Sequence, residues 1–195
     1  MISGIVLAGG TSSRLGRPKQ LLTLDGRPVL QHVVDAAAAP GSGLGEVVVV
    51  LGHLAGEVAS ALSLPLSART VVNPDYATGQ AGSMRTGLGA AAPESEAAVV
   101  LLGDQPGMPA AHIGAVVRAF GGGAGPIVQA SFRGTPSHPV LFARSVWPEL
   151  MAVTGDKGAR EVIKAHPDWV VRVDLDAEIP PDLDTMEDYE RLRGR

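Results

Sequence analysis

Three runs in this chain, residues 2–8, 47–51 and 97–102, are almost wholly apolar. A strand with one wet face alternates apolar and polar residues, whereas a run without alternation marks a strand covered on both faces. A sheet with helices on each side supplies that cover. Further strand-like runs fall at 70–72, 126–129, 140–142 and 169–173, and helical patterns lie between them at 29–39, 53–62, 82–91, 110–120, 144–151 and 158–165. This order predicts an α/β fold, a three-layer α/β/α sandwich around a mostly parallel sheet. The run near Val140 follows a stretch of turn residues, 133–138, which predicts an antiparallel excursion late in the chain.

The Gly-rich breaks at 40–45 and 121–125 are too short for interdomain linkers, and 195 residues suit a single domain, 1–195. With 45% hydrophobic and 18% charged residues, a packed core is expected. A net charge of -4 gives no general basic surface, so no nucleic-acid partner is expected and any affinity for polyphosphate must come from a local cluster. The absence of Cys removes disulfides, thiolate metal sites and Cys nucleophiles. Met1 leads directly into the apolar run at 2–8, which lacks the basic start of a signal peptide and is too short to span a bilayer. A cytoplasmic location without membrane attachment is the expectation.

The local cluster follows the first strand, in Leu7-Ala8-Gly9-Gly10-Thr11-Ser12-Ser13-Arg14-Leu15-Gly16-Arg17-Pro18-Lys19. Open α/β sheets bind ligands beyond the carboxyl ends of their strands. Gly9 and Gly10 let the backbone approach a bulky ligand, Ser12 and Ser13 add donors, and Arg14, Arg17 and Lys19 place three cations within six positions. A Walker loop is disfavoured, because Arg17 and Pro18 separate Gly16 from Lys19 and Gln20 follows. The glycines between Gly41 and Gly45 precede a strand instead of following one, so they fail as a dinucleotide fingerprint.

Leu101-Leu102-Gly103-Asp104-Gln105-Pro106 places a carboxylate at the end of a buried strand, which is costly unless partnered. A Mg²⁺ ion held by one or two carboxylates and by phosphate oxygens would be such a partner. A second acid, Asp184, lies in Asp182-Leu183-Asp184-Thr185-Met186-Glu187-Asp188-Tyr189; its spacing to Glu187 also matches a helix capping box, with Asp184 or Thr185 as cap. Asn73 to Met84 reads as a polar turn opening a helix, whose free N–H groups suit a ligand, or else a simple N-cap.

Together with Gly26-Arg27-Pro28-Val29-Leu30, the first loop resembles the signature of the molybdopterin-nucleotidyltransferase branch of the GT-A-like nucleotidyltransferases. The later segments Gly134-Thr135-Pro136-Ser137-His138-Pro139 and Gly155-Asp156-Lys157-Gly158-Ala159-Arg160 are similar to its cytidylyltransferase members. The resemblance implies a Rossmann-like sheet and transfer of a nucleoside monophosphate from an NTP to a phosphorylated pterin, with release of pyrophosphate. It implies Asp104 and Asp184 as Mg²⁺ ligands and Arg14, Lys19 and Asp104 as the catalytic set. Leu7, Ala8, Gly9, Gly10, Arg14, Lys19, Asn73, Gly79, Gly82, Ser83 and Asp104 would contact the nucleotide, and His138, Lys157 and Arg160 the acceptor. The later motifs favour CTP, with molybdopterin in its molybdenum-loaded form as acceptor and a molybdoenzyme receiving the product. Ala8-Gly9-Gly10 instead resembles the guanylyltransferase form of the loop, which keeps open guanylyl transfer from GTP to molybdenum cofactor, or nucleotidyl transfer to another small phosphate.

Two readings of other classes compete. A nicotinamide-dependent oxidoreductase would need a dinucleotide fingerprint after a strand, and none is present. A noncatalytic cofactor chaperone would bind the acceptor and keep its output after loss of Asp104.

Overall fold

The computed structural model describes residues 1–10, 18–155 and 158–194. In chain order the strands are β1 (Ile2–Ala8), the two-residue β2 (Thr23–Leu24) and β3 (Arg27–Pro28), β4 (Glu46–Leu51), β5 (Ala68–Val72), β6 (Ala97–Leu102), β7 (Ile127–Phe132), β8 (Thr135–Ala143) and β9 (Val170–Leu175). The helices are α1 (Val29–Ala38), α2 (Ala55–Ser60), α3 (Gln80–Ala90), α4 (Ala110–Gly121), α5 (Trp147–Ala152), α6 (Arg160–Ala165) and α7 (Met186–Arg193). Seven strands form one sheet in the order β5-β4-β1-β6-β8-β7-β9. In it β1 runs parallel to β4 and β6, β4 to β5, and β7 to β9, while β8 is antiparallel to both of its neighbours.

The fully apolar runs have the two-sided cover that their composition demands. Val6, Val47, Val49, Val99 and Leu101 face a core shared with Leu30, Val33 and Val34 of α1 and Ile113 and Val116 of α4. Ile5, Val48, Val50, Ala98 and Val100, one position out of step, face Met84 and Leu88 of α3, Leu150 of α5 and Val162 of α6. Alternation along each strand thus feeds both layers, and each buried Val or Leu contributes about 1.5–3 kcal/mol of apolar burial. The helix on the second face comes close because Gly87 has no side chain: a Cβ there would lie 2.4 Å from Ile5 Cγ2.

A third cluster, Leu22, Leu24, Val29, Leu183 and Tyr189, joins the β2–β3 hairpin to the C-terminal segment, and the Tyr189 hydroxyl donates to the Thr23 carbonyl at 2.8 Å. The hairpin has strands too short to register as periodicity. No helix among the described residues is long and apolar enough to cross a membrane.

The antiparallel strand is longer than its apolar run. Residues 135–138, expected as turn, belong to β8, and Pro136 pairs with Ser131 of β7. Pairing with β6 is confined to Val140 through Ala143, so this end of β8 is an edge on one side, where a missing N–H leaves no ladder bond unmade. Between Gln129↔Val140 and Ala130↔Ser137 the register shifts, leaving His138 and Pro139 unmatched.

Candidate active site

The chain runs outward from β1 to β4 and β5, then returns to place β6 on the opposite side of β1. Such a reversal opens a crevice at the carboxyl ends of the two strands. A cleft of about 340 Å³ lies there, lined by Leu7 to Gly10, Lys19, Gln20, Tyr76, Ala77, Gly79, Gln80, Ser83 and Leu102 to Asp104. Three separate sequence features therefore converge: the glycines after β1, the acid after β6, and the start of α3.

The glycines serve different ends. A Cβ on Gly9 would lie 2.8 Å from Ser83 Oγ, so Gly9 permits contact between the β1 loop and α3. A Cβ on Gly10 would meet nothing within 4 Å; this residue is exposed and its space opens to the cleft. Gly103 has Ala8 Cβ at 2.9 Å from where its own Cβ would be, which lets the two strand ends lie side by side. Gln20, 2% exposed, donates from Nε2 to the Ala8 carbonyl at 2.8 Å and holds the loop from beneath.

Lys19 Nζ lies 2.5 Å from Asp104 Oδ2 and 3.0 Å from Asp184 Oδ1. The side chains are 16%, 20% and 53% exposed for Lys19, Asp104 and Asp184. Burial works to lower the Lys19 pKa, but the charge and hydrogen bond of Asp104, joined by those of Asp184, raise it, so the ammonium stays charged. Asp182, close by, has its carboxyl raised by desolvation and by the charge of Asp104, against a hydrogen bond from Gln105.

Asp184 is not the helix cap. Thr185 caps α7 in a reciprocal box with Asp188: Thr185 Oγ1 accepts from the Asp188 N–H at 3.2 Å, and Asp188 Oδ2 accepts from the Thr185 N–H at 2.9 Å. Glu187 has no part in that box, and the Asp184 carboxylate points to Lys19 instead.

Gly79 and Ser83 line the cleft, whereas Asn73 and Gly82 stand behind it. Asn73, 3% exposed, donates from Nδ2 to Ser83 Oγ at 3.2 Å, and a Cβ on Gly82 would approach the same amide at 3.1 Å. Gly79 is the N-cap of α3 with φ 116, a conformation that favours glycine, and no side chain caps that helix.

A second cavity of about 170 Å³ shares Leu7, Gln80 and Leu102 with the first and brings together His138 and Arg160. Desolvation, the nearby Arg160 charge and an opposing pull from Asp104 leave the His138 pKa lowered to about 4, so its imidazole is neutral at pH 7. Met84 belongs to the core and also forms a wall of this cavity. Arg14 and Lys157, with Ser12, Ser13 and Arg17, lie outside the described residues. Tyr76, Ala77 and Gln80 line the cleft from the same segment as Gly79 and Ser83, and Gln20 follows Lys19, but none of the four stands out in the sequence, where nothing in their residue types marks them as cleft-facing.

Among the described residues no three His, Cys, Asp or Glu side chains converge. Asp104 and Asp184, meeting at one ammonium, form a two-carboxylate set. That suits a hard cation that keeps waters and takes further oxygens from phosphates, and the Lys19 ammonium, drawn to both carboxylates, shows that the pair attracts positive charge.

Comparison with known proteins bears on the fold and the family. The structure of Rv0371c from Mycobacterium tuberculosis H37Rv matches with a TM-score of 0.87 and 33% identity, over 100% of this chain and 98% of that one. A second structure of Rv0371c, in complex with manganese, matches with a TM-score of 0.84 and 32% identity, over 99% and 98% of the two chains. The purine catabolism protein PucB of Bacillus subtilis is 29% identical over 97% of this chain and 95% of its own length. The bifunctional protein GlmU of Sorangium cellulosum is 39% identical over 112 residues, 54% of this chain, and the match spans only 23% of that protein. The model of the MobA-like NTP transferase domain matches residues 4–170, and the chain belongs to that family.

Proposed function

We propose that this protein is a Mg²⁺-dependent nucleotidyltransferase, one domain over residues 1–195, that moves CMP from CTP to a phosphorylated pterin, molybdopterin in its molybdenum-loaded form, with release of pyrophosphate. The observation that carries the reading is the convergence of Asp104 and Asp184 on Lys19 beside a cleft at the β1–β6 reversal. The family membership supports nucleotidyl transfer, and the manganese complex of Rv0371c supports a divalent cation.

An acceptor phosphate is already ionised at neutral pH, so attack on the α-phosphorus requires neither a protein nucleophile nor a general base. Asp104 and Asp184 would hold the metal ion, which supplies orientation of the phosphates and neutralisation of charge. Lys19, kept charged by the same carboxylates, would stabilise the departing pyrophosphate, with Arg14 assisting. Gly10 leaves room for the triphosphate and Gly9 brings the loop against α3 to contact it, and Gly79 and Ser83, backed by Asn73 and Gly82, present the start of α3 to the nucleoside. His138 and Arg160, with Lys157, would receive the pterin phosphate: Arg160 offers a forked cation, and a neutral His138 can donate or accept without charge.

GTP as the donor is a second reading, favoured by the Ala8-Gly9-Gly10 loop. A screen of four NTPs against molybdenum-loaded and metal-free pterin, read by pyrophosphate formation, tests both. Turnover with CTP and the loaded pterin is expected; no pyrophosphate from any pair would reject the reading.

A further inference from the structure

The two candidate ligands come from distant parts of the chain, so the C-terminal segment has to be fixed against the end of β6. Gln105 is the side chain placed to do this. It follows Asp104 directly, is 2% exposed, and donates from Nε2 to Asp182 Oδ1 at 2.8 Å and to the Pro180 carbonyl at 3.4 Å. The backbone adds a rung, from the Leu183 N–H to the Asp104 carbonyl at 3.0 Å. Leu183 is fully buried in the third apolar cluster, and Asp184, the next residue, is exposed and inherits its position from these neighbours.

Filling this space needs no amide, and the amide carries a cost. Gln105 Oε1 is buried without a hydrogen-bond partner among the described residues. An apolar side chain of the same size would carry no such oxygen, and would give up the two bonds from Nε2. Both groups facing Nε2 are acceptors, so the reverse orientation would set Oε1 against a carbonyl and a carboxylate. The donor is therefore fixed toward the segment that carries Asp184.

We infer that Gln105 is a positioning residue for the metal site, its amide tying Asp182 and Pro180 to the strand end so that Asp184 converges with Asp104 on one cation. The inference rests on the metal reading of Asp104 and Asp184 proposed above. Groups that orient metal-ligating side chains typically alter metal affinity about 10–100-fold when removed.

The test is Mn²⁺ binding to the free protein without NTP, followed by electron paramagnetic resonance, with denaturant unfolding of each variant in parallel. Gln105→Met is expected to unfold at nearly the same denaturant concentration, because deleting the unpartnered oxygen offsets the loss of the two bonds from Nε2, yet to bind Mn²⁺ about tenfold more weakly. Asp182→Ala, which opens the tie from its exposed end with less risk to the fold, is expected to lose a similar factor, and Asp182→Asn, which keeps an acceptor, to lose less. Asp184→Asn weakens binding as well, and adding Gln105→Met to it costs nothing further, since Gln105 acts through Asp184. Wild-type Mn²⁺ affinity in Gln105→Met and Asp182→Ala, or an equal further loss in the Asp184→Asn background, would overturn the inference while leaving the metal reading in place. Wild-type affinity in both Asp104→Asn and Asp184→Asn would remove the metal reading and this inference together.

Discussion

Lys19 and Asp104 are 85 residues apart in sequence and joined at 2.5 Å in the fold. Lys19 follows the loop after β1 and Asp104 follows β6, so their meeting is a direct product of the parallel pairing of those strands. With Asp184 at 3.0 Å, one ammonium answers two carboxylates that would otherwise repel each other. The same electrostatics that hold the site together would draw in a divalent cation, and Lys19 would then turn to phosphate.

Replacing Lys19 with Met is expected to lower the stability of the metal-free protein by about 1–2 kcal/mol, the loss of a largely buried pair reduced by screening at Asp184. Mn²⁺ should restore most of it, because a bound cation takes over the neutralisation. NTP use, as kcat/KM, should fall about 100-fold. Denaturant unfolding in chelator and in Mn²⁺, with steady-state kinetics, checks each part; native kinetics would remove Lys19 from the site.

Gly10→Ala separates the cleft from the core. The new methyl group meets no protein atom within 4 Å, so unfolding should shift by less than about 0.5 kcal/mol. It does enter the space proposed for the triphosphate, and KM for NTP is expected to rise about tenfold. An unchanged KM would place the phosphates elsewhere.

His138 makes a pH-dependent contribution to stability. An unfolded imidazole protonates near pH 6.5, whereas the folded one remains neutral until about 4. Between those values the unfolded chain binds the extra proton, so stability rises with pH across the window and is lost as pH falls from about 6.5 toward 4. The loss attributable to this group is on the order of 2 kcal/mol after screening. Unfolding curves at several pH values should show a shallower acid slope in His138→Gln; identical slopes would contradict the assignment.

Much of this site was legible in the chain because its parts sit where strands end. The runs that became β1, β4 and β6 are apolar at nearly every position, and their ends locate Gly9, Gly10 and Asp104 without further information. Asp184 was ambiguous, since the acid-rich segment offered two capping arrangements and only the fold gives the cap to Thr185. The first part of β8 was hidden by Pro136 and Pro139, residues that normally mark turns and are tolerated here at an edge and at a register shift. Gln20 and Gln105 carry no signal in sequence because their amides answer backbone and side-chain groups brought near by tertiary folding.

The central claim is that acids from two distant segments and a lysine from the first loop build one metal–nucleotide site. Pyrophosphate release by Asp104→Asn, measured with NTP, acceptor and divalent cation all saturating, tests it most directly. A fall in kcat of about 100-fold or more in a variant with native circular dichroism is expected. A turnover number equal to that of the wild type would contradict it.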